Sequence, residues 1–121
     1  MSLNNVLLLS DIHNYDFNFK KLFESKDSII WKNCSNLTIT IDSRINKIIF
    51  NNCENIKLVC DKTISGIEYF KCLDVVQTIN KKHKISCIDI YGSSLTIKIN
   101  NETILPKIIK EKSNVLLEYI T

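Results

Sequence analysis

Two observations predict an all-β chain folded as a right-handed parallel β-helix of about six coils of roughly 19 residues. The first is a repeat: Cys34, Cys53 and Cys72 recur at nineteen-residue spacing, each ending a near copy of one phrase, DSIIWKNCSN, NKIIFNNCEN and SGIEYFKCLD. The second is the texture within each copy. LTITI (37–41), IKLVC (56–60) and VVQTI (75–79) alternate in twos and are rich in β-branched residues, which is the pattern of strands. Nineteen residues leave no room for a crossover helix between parallel strands, so a doubly wound sheet is excluded and stacked coils remain.

Each column of the alignment then becomes a ladder rising about 4.8 Å per coil. Ile29, Ile48 and Ile67 form one column, Trp31, Phe50 and Tyr69 a second, and the three cysteines a third. Leu37, Ile56 and Val75 follow, then Ile39 with Leu58, Ile41 with Cys60 and Ile79, and Ile45 with Ile64. Asn33 stacks under Asn52, and Asn36 under Asn55 and Asp74, where a corner is expected because Asn and Asp tolerate left-handed backbone and can run amide ladders.

Upstream, VLLLSDIHNY reads as an earlier coil with Ile12 in the aromatic column and Tyr15 in the cysteine column, followed by a bulge or slip in FNFKKLFESKD. Downstream, ISCIDIYGSSLTIKI (85–99) reads as a fourth copy displaced by one or two residues, with Ile88 and Ile90 leading into Leu95, Ile97 and Ile99. Pro106 interrupts the pattern, and VLLEYI (115–120) is a last strand. The whole chain, 1–121, is expected to form one domain, with the clearest repeats over 26–100 and a C-terminal coil or tail over 101–121.

The chain is 45% hydrophobic and 24% charged, with two glycines and one proline, so nothing in it reads as linker or disorder. The apolar run VLLL has neither a basic leader nor a cleavage site, so no signal peptide or membrane span is expected, and the cytoplasm is the expected compartment. Ile, Asn and Lys dominate, as AT-rich coding would give in a protist, a parasite or a large DNA virus. Five cysteines, an odd number, read as reduced thiols. Side chains stacked in register point in parallel and spread along an axis, which suits neither a disulfide dihedral nor a tetrahedral metal site. They are expected to be buried packing thiols, with no cofactor and no metal.

His13 and His83 lack a short-range partner at ligand spacing and read as surface or corner residues. No Gly-rich phosphate loop, HExxH, CxxC or nucleophile elbow occurs, so no enzyme is expected. The net charge is +3 and KKHK (81–84) is the one basic run, which reads as a solvated turn and not as a nucleic-acid footprint.

Alternation points other residues outward. Ile30, Ile49 and Glu68 form one outer ladder, and Lys32, Asn51 and Phe70 the next, which makes Ile30, Ile49 and Phe70 an apolar strip with charged edges. Such a strip marks a protein contact, or else is covered by a terminal segment.

NKIIFNNCENIKLVCDKTISGIEYFKCLDVVQ (46–77) resembles the C-terminal β-helix (CARP) domain of cyclase-associated proteins, in which an INSI–(D/N)-x-C opening, a V-F-D turn and a strand ending in V-x-V-Q recur in this order. KISCIDIYGSSLTIKI is similar to that family's T-I-S-I-D…G-C-x-x-Y-L-S segment, and EKSNVLLEYI to its K-S-S-x-x-N-V-L segment, so the resemblance covers roughly residues 28 to 119. It implies a binder of monomeric actin that favours the ADP form and promotes nucleotide exchange, with no active site of its own. The family's helical N-terminal domain, proline-rich stretch and actin-binding linker motif are missing here, and its C-terminal swapped hairpin would begin where this chain stops. Dimerisation by that swap is therefore expected to be absent, with a homodimer formed through an exposed β-helix edge instead. The alternative is a self-assembling interaction protein of viral origin that kept the fold and lost actin binding. Related β-helices in tubulin-binding cofactor C act on a small GTPase through an arginine, for which Arg44 is this chain's one candidate.

Overall fold

The computed structural model describes residues 5–120, and the expected domain ends at 1–4 and 121 lie outside the described residues. Ten strands run in chain order: β1 Val6–Ser10, β2 His13–Lys20, β3 Ser28–Lys32, β4 Ser35–Asn51, β5 Glu54–Phe70, β6 Leu73–Ile79, β7 Cys87–Tyr91, β8 Ser94–Ile99, β9 Lys107–Glu111 and β10 Asn114–Tyr119. Every pairing is parallel, and the strands stack as a β-solenoid of about six turns.

One face carries β1, β3, the C-terminal part of β4, the C-terminal part of β5, β7 and β9. A second carries β2, the N-terminal part of β4, the N-terminal part of β5, β6, β8 and β10. Between them lies a tight corner on one side and an irregular rim on the other. The rim is where β4 and β5 slip register between Ile41 and Arg44 and again between Ile45 and Lys47.

The tight corner is built from left-handed residues, Asn33 and Asn36 at φ 55° each and their copies Asn52, Asn55, Lys71 and Asp74. Two amide ladders tie these corners together. Asn52 donates to Asn33 at 2.8 Å, while Asn55 donates to Asn36 at 2.6 Å and Asn36 to Asn14 at 2.8 Å. Between the two left-handed residues the cysteine turns inward. Its thiol contacts the carbonyl two residues back (Cys72 Sγ to Phe70 O, 3.3 Å) and faces the aromatic-column carbonyl one coil below (Phe50 O, 3.6 Å). Ser93 and Ser113 continue this column and donate to the equivalent carbonyls of Tyr91 and Glu111, each at 2.9 Å. From the second coil onward the position holds a small side chain with a donor, and either Cys or Ser supplies it.

The interior is a stack of like residues. Trp31, Phe50 and Tyr69 are fully buried, with near-parallel rings at 6.2 Å and 5.1 Å between centroids. Tyr69 also donates to Gln77 at 2.7 Å, a buried polar pair inside the Ile39, Leu58, Gln77, Ile97 column. Cys34, Cys53, Cys60 and Cys72 are buried and unbridged, as expected of packing thiols, whereas Cys87 is unbridged but only half-buried, with its thiol 3.5 Å from Asp89 Oδ1.

Burial pushes the Cys60 thiol up to about 12 from 9.0. The folded state therefore holds this proton where the unfolded chain releases it, so the stability from Cys60 is intact below pH 9 and is lost on rising through about pH 12. Chemical denaturation of Cys60→Val across that window is expected to show a shallower alkaline decline than the unmodified chain. Identical slopes would assign the decline to other groups.

Two columns differ from the sequence reading. Ile12 lies in the cysteine column, with its carbonyl accepting from Ser35 N at 3.1 Å, and Leu9 lies in the aromatic column opposite Trp31, so Tyr15 moves to the Leu37 column. The spacing here is 22 residues because Lys21–Asp27 is longer than its counterparts. At the rim, Ile45 pairs with Thr63 and not with Ile64. Thr63 is 3% exposed and Ile64 is 47% exposed, since the slip between Ile41 and Arg44 shifts the pairing by one residue and the one before Lys47 restores it.

The displaced fourth copy was read correctly, with Ile67 opposite Ile88 and Val75 opposite Leu95. KKHK forms a turn in which Lys81, Lys82 and Lys84 are exposed and His83 folds inward, accepting from Asn80 N at 3.0 Å. Burial lowers the His83 pKa from its ordinary value.

Candidate protein-binding face

Strand alternation on the first face leaves three outer columns. Leu8, Ile30, Ile49, Glu68, Asp89 and Ile109 form the central one, in register across six strands. Beside it run Ser10, Lys32, Asn51, Phe70, Tyr91 and Glu111. The sequence thus places Ile30, Ile49 and Glu68 correctly in one ladder, and Lys32, Asn51 and Phe70 in the next.

The apolar surface forms two patches. Leu8, Ile30 and Ile49 are stacked, with Leu8 59% exposed and the two isoleucines half-buried. Phe70 lies two residues along and one coil up, stacked on Tyr91 with ring centroids 5.1 Å apart and planes 9° apart. Between the patches Lys47 forms an ion pair with Glu68, and Asp89 follows in the same column. Desolvation raises the Tyr91 phenol, and the carboxylates of Asp89, Glu111 and Glu68 add to it. Lys32 and Asn51 are exposed along one side. The result is a flat β surface with two apolar contacts, an aromatic pair and a charged seam, suited to a protein surface more than to a small molecule.

Leu8 and Tyr91 were missed by sequence reading. Both belong to coils where the nineteen-residue period breaks: Leu8 stands twenty-two residues before Ile30 and Tyr91 twenty-one after Phe70. A search that allowed coil length to vary at the rim would have found them.

Elsewhere the surface is shallow. An open cleft of about 520 Å³ on the second face is lined by Asn55, Asp74, Val76, Thr96, Lys110 and Leu116, among others. Arg44 is exposed at the rim in register with Lys62, which bridges to Lys84, so it stands in a column of cations. Among the described residues no group of three or more His, Cys, Asp or Glu is placed to hold a metal ion, and no helix is long and apolar enough to cross a membrane.

Comparison with known proteins bears on fold and family. The fold matches that of the crystal structure of the cyclase-associated protein from Cryptosporidium parvum, with a TM-score of 0.69 at 18% identity, over 98% of this chain and 67% of that one. No curated protein sequence matches the chain significantly. The family model described as adenylate cyclase associated (CAP) C terminal matches residues 12–117, from the corner before β2 into β10. Because that match spans most of the chain, the chain belongs to the C-terminal domain family of adenylate cyclase-associated proteins.

Proposed function

We propose that the chain is a non-catalytic protein-binding module that engages monomeric actin, favours its ADP-bound form and promotes exchange of the nucleotide. The observation that carries this reading is the family match over residues 12–117, because actin binding is what this family is known for. The contact face is the outer surface of the first sheet, with Ile30, Ile49 and Phe70 at its centre and Lys32, Asn51 and Glu68 around them. Flatness and the paired aromatic rings support it, since aromatic anchors surrounded by polar residues carry most of the energy of protein contacts.

Binding of ADP-actin monomer, with nucleotide release followed in parallel, tests the proposal. Phe70→Asp is expected to weaken binding by more than about tenfold. Its melting temperature should stay close to that of the unmodified chain, because Phe70 points away from the core and is half-buried. Absence of binding at tens of micromolar, together with unchanged nucleotide release, would sink the reading. Equal binding by Phe70→Asp would move the contact to another face.

A second reading has the chain as a self-assembling interaction protein of viral origin that has lost actin binding. The terminal coils favour it, since β1 and β2 each have a hydrogen-bonding edge with no partner strand among the described residues. Under both readings an edge of the β-helix serves a homodimer, and the cytoplasm keeps the thiols reduced.

A further inference from the structure

Three rim turns, in three different coils, close in the same way. In each, the fourth residue's N–H donates to the first carbonyl, and the first N–H donates back to the fourth side chain. Asp27 N reaches Glu24 O at 3.0 Å, and Glu24 N reaches Asp27 Oδ2 at 2.8 Å. Thr103 N reaches Asn100 O at 3.1 Å, and Asn100 N reaches Thr103 Oγ1 at 3.1 Å. One coil before that, His83 N reaches Asn80 O at 2.9 Å, and Asn80 N reaches His83 Nδ1 at 3.0 Å. Two of the latches accept through oxygen and one through an imidazole nitrogen. A hydroxyl or carboxylate keeps its accepting lone pair down to about pH 4 or below, whereas Nδ1 keeps one only while the ring is neutral.

We propose that the Asn80–His83 turn is a proton-operated latch, closed while the imidazole is neutral and released when Nδ1 takes a proton and meets the Asn80 N–H as a second donor. The ring is 5% exposed, and burial favours its neutral form, holding the pKa below the ordinary 6.5. Closure is therefore complete above about pH 6.5 and is lost as the pH falls below it, because the open turn binds a proton that the closed one excludes. The surroundings offer the charged ring a second arrangement. Asp61 of β5 and Asp42 of β4 favour the imidazolium and Lys82 opposes it, and all three line, with Lys20 of β2, a groove of about 280 Å³ beside the rim. In the following coil Asn100 and Thr103 are neutral, and Glu102 is taken by Lys81 at 2.8 Å. A released ring thus exchanges a clash of donors for two carboxylates. The opening stops at Lys84, whose N–H donates to Asp61 O at 2.9 Å and whose carbonyl accepts from Thr63 N at 3.1 Å. One rim turn moves, and the ladders of both faces stay in place.

Amide hydrogen exchange resolved by NMR tests this, with protection factors compared at about pH 7.5 and about pH 5. Given a free imidazole near 6.5, a closed turn that takes no proton opens about 30-fold more often at the lower value, and Asn80 protection is expected to fall by that factor. The His83 ring signals should shift in step with that loss. Asn100 protection should hold, since a hydroxyl latches its turn. His83→Thr copies the Thr103 latch and should keep Asn80 protected at both values, with circular dichroism verifying the fold. Unchanged Asn80 protection in the unmodified chain, an equal loss at Asn100, or the same loss in His83→Thr would each overturn the latch.

Discussion

Phe50→Ala is expected to destabilise the protein by about 3–5 kcal/mol and to lower its melting temperature by roughly 10–25 °C. Phe50 is fully buried between Trp31 and Tyr69, with its ring within 9° of parallel to both. In a globular core, neighbours on several sides can move into a hole of this kind. Here the rings above and below belong to strands held by ladder hydrogen bonds, so neither can approach without breaking register. The cavity therefore stays open and the cost falls at the high end of the range for such truncations. Thermal melts and urea titrations measure it, and a loss below about 1 kcal/mol would mean that the aromatic column collapses more freely than the ladders allow.

Gly66→Val is expected to cost at least about 3 kcal/mol, for two independent reasons. Its φ of +115° lies where side-chain-bearing residues are strained, and a Cβ there would come within 2.5 Å of the Cys87 carbonyl oxygen. That oxygen belongs to the backbone of the next coil and cannot swing aside. Gly92 provides the contrast. Its φ is +57° and nothing lies within 4 Å of a Cβ built on it. It occupies the corner column in which Asn33, Asn52 and Lys71 hold the same conformation, so Gly92→Asn should change stability by only a few tenths of a kcal/mol. Denaturant midpoints for the pair separate steric exclusion from backbone preference. Equal effects would show that crowding at Gly66 is relieved by coil displacement.

Where the period was undisturbed, the sequence was legible to single residues. The columns through Ile29, Trp31, Cys34 and Leu37 were read correctly in all three clear copies, and Ile39 with Leu58 in two, because each face alternates strictly and the corner between them keeps constant length there. Both errors of register arose at the rim. A bulge there makes Thr63, not Ile64, the inward residue, and hydrophobicity alone points to the wrong one of the two. The longer Lys21–Asp27 segment hid the first coil's register, and with it Asn14 and Leu8. The serine column was hidden by chemistry, because Cys34, Cys53 and Cys72 read as apolar packing while Ser93 and Ser113 read as turn residues. Only the shared acceptor carbonyl shows that they do one job.

The outer face was legible as a set of residues and less so as a surface. Alternation says that Ile30, Ile49 and Phe70 point outward. It does not say that Phe70 leans on Tyr91, which depends on a coil whose length had already changed.

The rim has a consequence for how this chain can change over evolutionary time. From Phe19 to Ile29 the path takes ten residues, from Ile41 to Ile48 seven, and from Ile79 to Ile88 nine, while the path from Trp31 through Cys34 to Leu37 is the same length as that from Phe50 through Cys53 to Ile56. Length is conserved along both faces and varies most along the rim; the corner changes once, by a single residue, Ile90 to Leu95 taking five where Tyr69 to Val75 takes six. A lineage can therefore lengthen or replace a rim segment in any one coil without disturbing the ladders above and below it. New recognition loops can be acquired there singly, while the two flat faces change only a whole column at a time.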